Sequence, residues 1–165
     1  MPLRILARIK SVEKTNLRQK KYFLNKILQR FNNGESMKNK IFSIWGLSFK
    51  PGTNDIRGAV SIYIINHIIK NKGIVHLYDP KAMDNIKELF QGNGSVVFFE
   101  DKYKASKSAD ALILLTEWPE FRSPDFQLLK EKLNSAIIFD GRNQFDRYQM
   151  KKLGFEYHQI GAQTL

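Results

Sequence analysis

The residues with usable chemistry fall in four short polar segments. The longest is Gly46-Leu-Ser-Phe-Lys-Pro-Gly-Thr-Asn-Asp-Ile-Arg-Gly58. Gly46 and Gly52 permit tight or left-handed backbone, and Pro51 fixes a turn. Lys50 offers a mobile point charge suited to a phosphate, and Arg57 a planar fork suited to a phosphate or a carboxylate. A helix is expected just beyond, and the free N–H groups at its start favour an anion. The segment has neither the G-x-G-x-x-G pattern nor a Walker A pattern. Its composition alone leaves two readings level: an anion or nucleotide site, and a structural crossover loop.

The other segments are Tyr78-Asp-Pro80, Thr116-Glu-Trp-Pro-Glu-Phe121 and Asp140-Gly-Arg-Asn143. Asp79 stands where a Rossmann unit often presents an acid to a ribose, but Asp-Pro is also an ordinary turn, and the turn is the preferred reading. Arg142 is either a second cation for the same ligand or a surface arginine paired with Asp140. Glu117 and Trp118 either contact a ligand or order their loop. The histidines, His67, His76 and His158, have no metal-ligand spacing and form no readable Ser-His-Asp set. The sequence holds no cysteine, which excludes disulfides, thiolate ligands and thiol nucleophiles from it. No convincing nucleophile or general base remains.

The elements that position these segments follow from apolar patterning. Strands are predicted at 41–46, 74–78, 95–99, 111–115 and 136–139, with a possible edge strand at 155–158. Helices are predicted at 59–72, 81–91, 103–108, 126–133 and 145–153. The alternation implies right-handed βαβ units and an α/β fold: a doubly wound parallel sheet, Rossmann-like, in order 3-2-1-4-5. In that order the loops after strands 1, 4 and 5 are neighbours at the carboxyl edge, where ligands bind in such sheets. Three of the four polar segments then converge on one place.

A long N-terminal α-helix precedes the sheet. Ile5, Leu6, Ile9, Val12, Leu17, Phe23, Leu24, Ile27, Leu28 and Phe31 recur mostly at helical steps, Pro2 suits a first turn, and Asn32-Asn33-Gly34 ends the pattern. About 30 residues make a helix of about 45 Å, longer than a small domain, so its stripe calls for a partner. The net charge of +11 is concentrated here: residues 1–40 carry 11 Lys/Arg against Glu13 and Glu35, a net +9. A solvated basic face on a packing helix explains this better than nucleic acid or a membrane surface. No nucleic-acid motif is present, and no apolar run spans a membrane. With no secretory segment and no cysteine, a cytoplasmic location fits.

The four segments, in their order and spacing, resemble the C-terminal domain of the UDP-glucose 6-dehydrogenase family. Thr15-Asn-Leu-Arg-Gln-Lys20 resembles the later part of that family's central helix. The likeness runs from about Leu6 to Gly161. It implies a division into residues 1–35, the end of a central dimerisation helix, and residues 41–161, a UDP-sugar-binding Rossmann-like domain. It also implies the family reaction, in which UDP-glucose is oxidised to UDP-glucuronate by two hydride transfers to two NAD molecules, through a cysteine thioester. Phe49, Lys50 and Arg142 match substrate-contacting positions of the family, and Arg57 matches one that reaches NAD. Packing in the core is the alternative for Phe49. Gly58 stands where the family commonly has Glu, which removes one partner for Arg57.

Without a cysteine the chain is expected to be inactive alone. The resemblance implies that it starts within the central helix, and that its partners are UDP-glucose, a missing NAD-binding half and a second copy joined through the helix. The alternative is a non-catalytic nucleotide-sugar-binding or dimerisation module.

Overall fold

The apolar runs all become parallel strands. The computed structural model describes the backbone of residues 3–162 and the side chains of residues 15–162. The chain forms α1 (Leu3–Arg30), β1 (Ile41–Trp45), α2 (Val60–Lys70), β2 (Ile74–Tyr78), α3 (Met83–Phe90) and β3 (Val96–Phe98). There follow α4 (Lys102–Ser106), β4 (Ala111–Leu114), α5 (Phe126–Lys132), β5 (Ile137–Asp140), α6 (Arg147–Lys152) and β6 (Glu156–Gln159). The sheet order is β3-β2-β1-β4-β5-β6, with every pairing parallel. The possible edge strand is thus a full member, and the predicted order gains a sixth position.

The central strands are buried on both faces, and their two-residue period sorts their side chains. Phe42, Ile44, Ala111, Ile113, Ile137 and Phe139 join one core, under α1, α2 and α3. Trp45, Leu112, Leu114 and Ile138 join the other, where α5 contributes Leu129 and α6 contributes Met150. Helix α4 closes this second face, with the Trp45 indole donating to Lys102 O. The doubly wound architecture is therefore present.

Two helix starts differ from the sequence expectation because side chains of the preceding residues do other work. Asp146 caps α6 by accepting from Gln149 N, so Phe145 packs in the core and is not helical. Lys81 and Ala82 donate their N–H groups to Asp79 Oδ1, which delays α3 to Met83. A short 3-10 turn at Pro119–Phe121 carries no apolar period and was not expected.

Helix α1 ends as expected, where Asn32, Asn33 and Gly34 take positive φ. Its last turns are part of the core: Phe23, Leu24, Ile27 and Phe31 are buried with the sheet residues. Polar ties fix it further. Lys20 Nζ donates to Gly58 O (2.7 Å), Lys26 Nζ to Ala162 O (2.8 Å), and Arg30 makes a fork on Glu156 of β6. The expectations for Pro2, Ile5, Leu6, Ile9 and Val12 lie outside the residues whose side chains are described. No helix among the described residues is long and apolar enough to cross a membrane.

Candidate functional site

Two buried carboxylates build the carboxyl edge of the sheet. Asp79, 2% exposed, follows β2. Its Oδ2 accepts from Leu47 N (2.7 Å), Ser48 N, Ser48 Oγ and the Trp118 indole (3.0 Å). Its Oδ1 accepts from Lys81 N and Ala82 N. The turn reading holds for one oxygen. The other oxygen ties the loops after β1 and β4 together, so no lone pair of Asp79 is turned to a ribose. Asp140 does the same at the end of β5, accepting from Arg142 N, Gln144 N, Phe145 N and the Tyr157 hydroxyl. Burial and the Asp140 charge push the Tyr157 hydroxyl well above its ordinary range, so it stays a donor.

The loop after β1 is further held by hydroxyls. Ser61 Oγ donates to Leu47 O (2.6 Å), and Thr116 Oγ1 donates to Ser48 O (2.6 Å). Gly46 sits at φ +87°, and a Cβ there would lie 2.6 Å from Thr116 N. Only glycine allows β1 and β4 to end this close together. The segment leading to Phe49 is therefore preformed.

Phe49 and Arg142 meet in one cleft of about 420 Å³, whose lining also includes Asn16, Lys20, Phe23 and Leu115. Phe49 is 58% exposed, so core packing does not account for it. Arg142 is not paired with Asp140 through its side chain. Its guanidinium instead grips Glu117, with Nη2 donating to Oε1 (2.6 Å) and Nε close against Oε2. Asp140 takes only the Arg142 backbone N–H because its oxygens face the turn. The fork on Glu117 holds that carboxyl below its usual range, against the opposing effect of burial.

The other two sequence-predicted site residues do not line the cleft. Lys50 is exposed beside Phe49. Arg57 is 89% exposed at its side chain and lines a separate open concavity with Thr53, Asn54, Asp55 and Asn85. It has an ion-pair partner despite Gly58, because Asp55 faces it across the turn. That fork lowers the Asp55 carboxyl to about 2, with a smaller contribution from Lys50. Trp118 is buried and packs in the second core, where it orders its loop. His67 and His76 hydrogen-bond to backbone carbonyls within the fold.

Sequence reading missed Asn16 and Lys20 as cleft residues. The signal was their spacing: positions 16, 20 and 23 fall on one face of a helix, and Phe23 marks that face as inward. No group of metal-binding side chains occurs among the described residues.

A parallel, doubly wound sheet with preformed loops around a cleft at its switch point defines a Rossmann-like α/β domain with a ligand crevice. Residues 43–147 match the model of the UDP-glucose/GDP-mannose dehydrogenase family, UDP binding domain, and the chain belongs to that family. It is 32% identical over 156 residues to the UDP-glucose 6-dehydrogenase of Pseudomonas aeruginosa, covering 93% of this chain and 34% of the relative. It is 34% identical over 153 residues to the Bacillus subtilis enzyme of the same name, covering 93% of this chain and 32% of that one. Its fold is similar to a UDP-glucose dehydrogenase from Pyrobaculum islandicum, with TM-score 0.71 and 21% identity, covering 90% of this chain and 31% of that chain. It is also similar to a UDP-D-ManNAc dehydrogenase from Pyrococcus horikoshii, with TM-score 0.63 and 25% identity, covering 86% of this chain and 30% of that chain. The chain thus spans about a third of the length of these relatives.

Proposed function

We propose that this chain is the UDP-holding part of a UDP-glucose 6-dehydrogenase. The observation that carries this reading is the cleft at the carboxyl edge, where Phe49, Arg142 and the polar face of α1 meet. In it, Phe49 offers a ring face to the base, and Arg142 offers donors to the nucleotide sugar. Lys50, on the adjacent exposed loop, supplies charge for the diphosphate.

Catalysis would require the NAD-binding half and its thiol, contributed by other sequence. NAD, when bound there, would accept the hydride. The residues of this chain fit an outer contact to NAD and not a dinucleotide bed: Arg57 is exposed, already pinned by Asp55, and set in an open concavity. Half-exposed Tyr22 on α1, outside the cleft lining, supports pairing with a second copy through that helix. A cytoplasmic location accompanies this role.

A narrower second reading is a nucleotide-sugar-binding module without catalysis, favoured by the lack of any cysteine in this sequence. Calorimetric titration with UDP-glucose tests both. The expected result is binding by the folded chain that Lys50→Ala and Arg142→Ala each weaken about tenfold, one charged hydrogen bond's worth. A folded chain that binds no UDP-glucose overturns the reading.

A further inference from the structure

Arg142 presents only part of its guanidinium to the cleft. Its Nη2 donates to Glu117 Oε1, and its Nε lies in ion-pair contact with Oε2, an oxygen that has no hydrogen-bond partner of its own. Nη1 has no protein partner among the described residues. Most exposed ion pairs are weak and mobile, and pairs whose two members are fixed by their surroundings are the exception. Here both members sit on fixed backbone. Glu117 is flanked by Thr116, whose hydroxyl donates to Ser48 O, and by Trp118, whose indole donates to Asp79. Arg142 is held by its own N–H on Asp140, while its neighbour Asn143 exchanges hydrogen bonds with Ile160.

The charge of the pair follows from this geometry. With its carboxyl held below the usual range by Arg142, Glu117 stays ionised at neutral pH. The arginine's positive charge is therefore cancelled within the pair, although its remaining N–H donors stay available. Lys20, which lines the same cleft from α1, is in the reverse state. Its ammonium donates to a neutral carbonyl, Gly58 O, and it has no carboxylate partner among the described residues. Among the described residues, the cleft thus carries a cation without a carboxylate partner at Lys20 and donors without net charge at Arg142.

We propose that Glu117 is a positioning residue that sets specificity. It holds Arg142 in an ion pair of no net charge, so that the remaining N–H donors of this arginine read a carbonyl or hydroxyl oxygen of a nucleotide sugar and not its phosphates. The inference rests on the reading of the cleft as the nucleotide-sugar site. A phosphate brought to this arginine would meet the Glu117 carboxylate close behind it, and like charges disfavour that approach. A neutral oxygen meets an aimed fork at no such cost.

The test separates the two halves of the ligand. The full chain and its Glu117→Gln and Glu117→Asp variants are titrated with UDP, uridine and inorganic pyrophosphate, and melting curves report folding. Glu117→Gln removes the compensating charge and loosens the fork. Pyrophosphate affinity is expected to rise about threefold to tenfold while uridine affinity falls by a similar factor. Glu117→Asp keeps the charge and is expected to retain the wild-type preference. A merely structural role for Glu117 would weaken both ligands together. That result, or an unchanged preference in a folded Glu117→Gln variant, overturns the inference while leaving the site in place. A folded wild-type chain that binds neither UDP nor uridine overturns the site itself, and the inference with it.

Discussion

At the scale of single residues, the site depends on buried acceptors that hold its loops together. Asp79 is buried and surrounded only by donors: Leu47 N, Ser48 N and Oγ, the Trp118 indole, Lys81 N and Ala82 N. An amide in its place turns an NH2 group toward donors that cannot accept, and it removes the charge that strengthens the rest. Asp79→Asn is expected to cost about 2–4 kcal/mol in urea unfolding, at the upper end for an unsatisfied buried group. A loss below about 0.5 kcal/mol, the level of a neutral surface change, would show that the loops do not depend on it. Asp79 was legible in the sequence as a turn, preferred over an acid facing a ribose. Its reach to Leu47 and Trp118 is tertiary, and no local spacing encodes it. Arg142 was legible as a cation of the site, but its partner was not. Sequence proximity pointed to Asp140, whereas the fold brings Glu117 across from the neighbouring strand end.

At the scale of elements, α1 serves both the core and the cleft. Phe23 is buried in the core and also lines the cleft, whereas Leu24, one position on, is buried away from it. Truncating either residue removes buried apolar surface and leaves a void. Phe23→Ala is expected to cost about 3–5 kcal/mol and Leu24→Ala about 2–5 kcal/mol. The binding readout separates them: in whatever fraction remains folded, Phe23→Ala weakens UDP binding and Leu24→Ala leaves it unchanged. Equal effects on binding would mean that α1 supports the cleft only through general stability. The strands and most helices were legible because their apolar periods are strong and the sheet is buried on both faces. Element starts were less so, since Asp79 takes the Lys81 and Ala82 N–H groups ahead of α3, and Asp140 takes the Phe145 N–H while Asp146 caps α6. The part of the helix that belongs to the sheet's core was not separable by pattern, because one apolar stripe runs through its whole length.

At the scale of the whole molecule, the response to acid comes in two stages. His76 lies in β2, with its ring near Phe99 and its Nδ1 on Ala105 O, and burial lowers its pKa below the ordinary value. His158 in β6 stacks on Phe139, and burial lowers it as well. Glu156 opposes that lowering, while Lys26 and Arg30 add to it. A histidine depressed in the fold binds its proton more tightly when unfolded. As pH falls through about 6.5, the unfolded chain takes up protons that the folded chain refuses, so stability falls with pH in that window. The carboxyls act lower. Arg142 lowers Glu117, and Arg30 with His158 lowers Glu156 against its burial. The stability from these pairs is complete above about pH 5 and is lost as pH falls through their depressed folded values. Melting temperature is therefore expected to decline from about pH 7 to about pH 5.5, before any carboxylate titrates. His76→Gln is expected to lower the melting point overall and to flatten that decline, because the group that titrates differently is gone. A melting point independent of pH across this range would mean that both rings accept a proton in place, with the β2 and β6 strands yielding to solvent while the sheet persists.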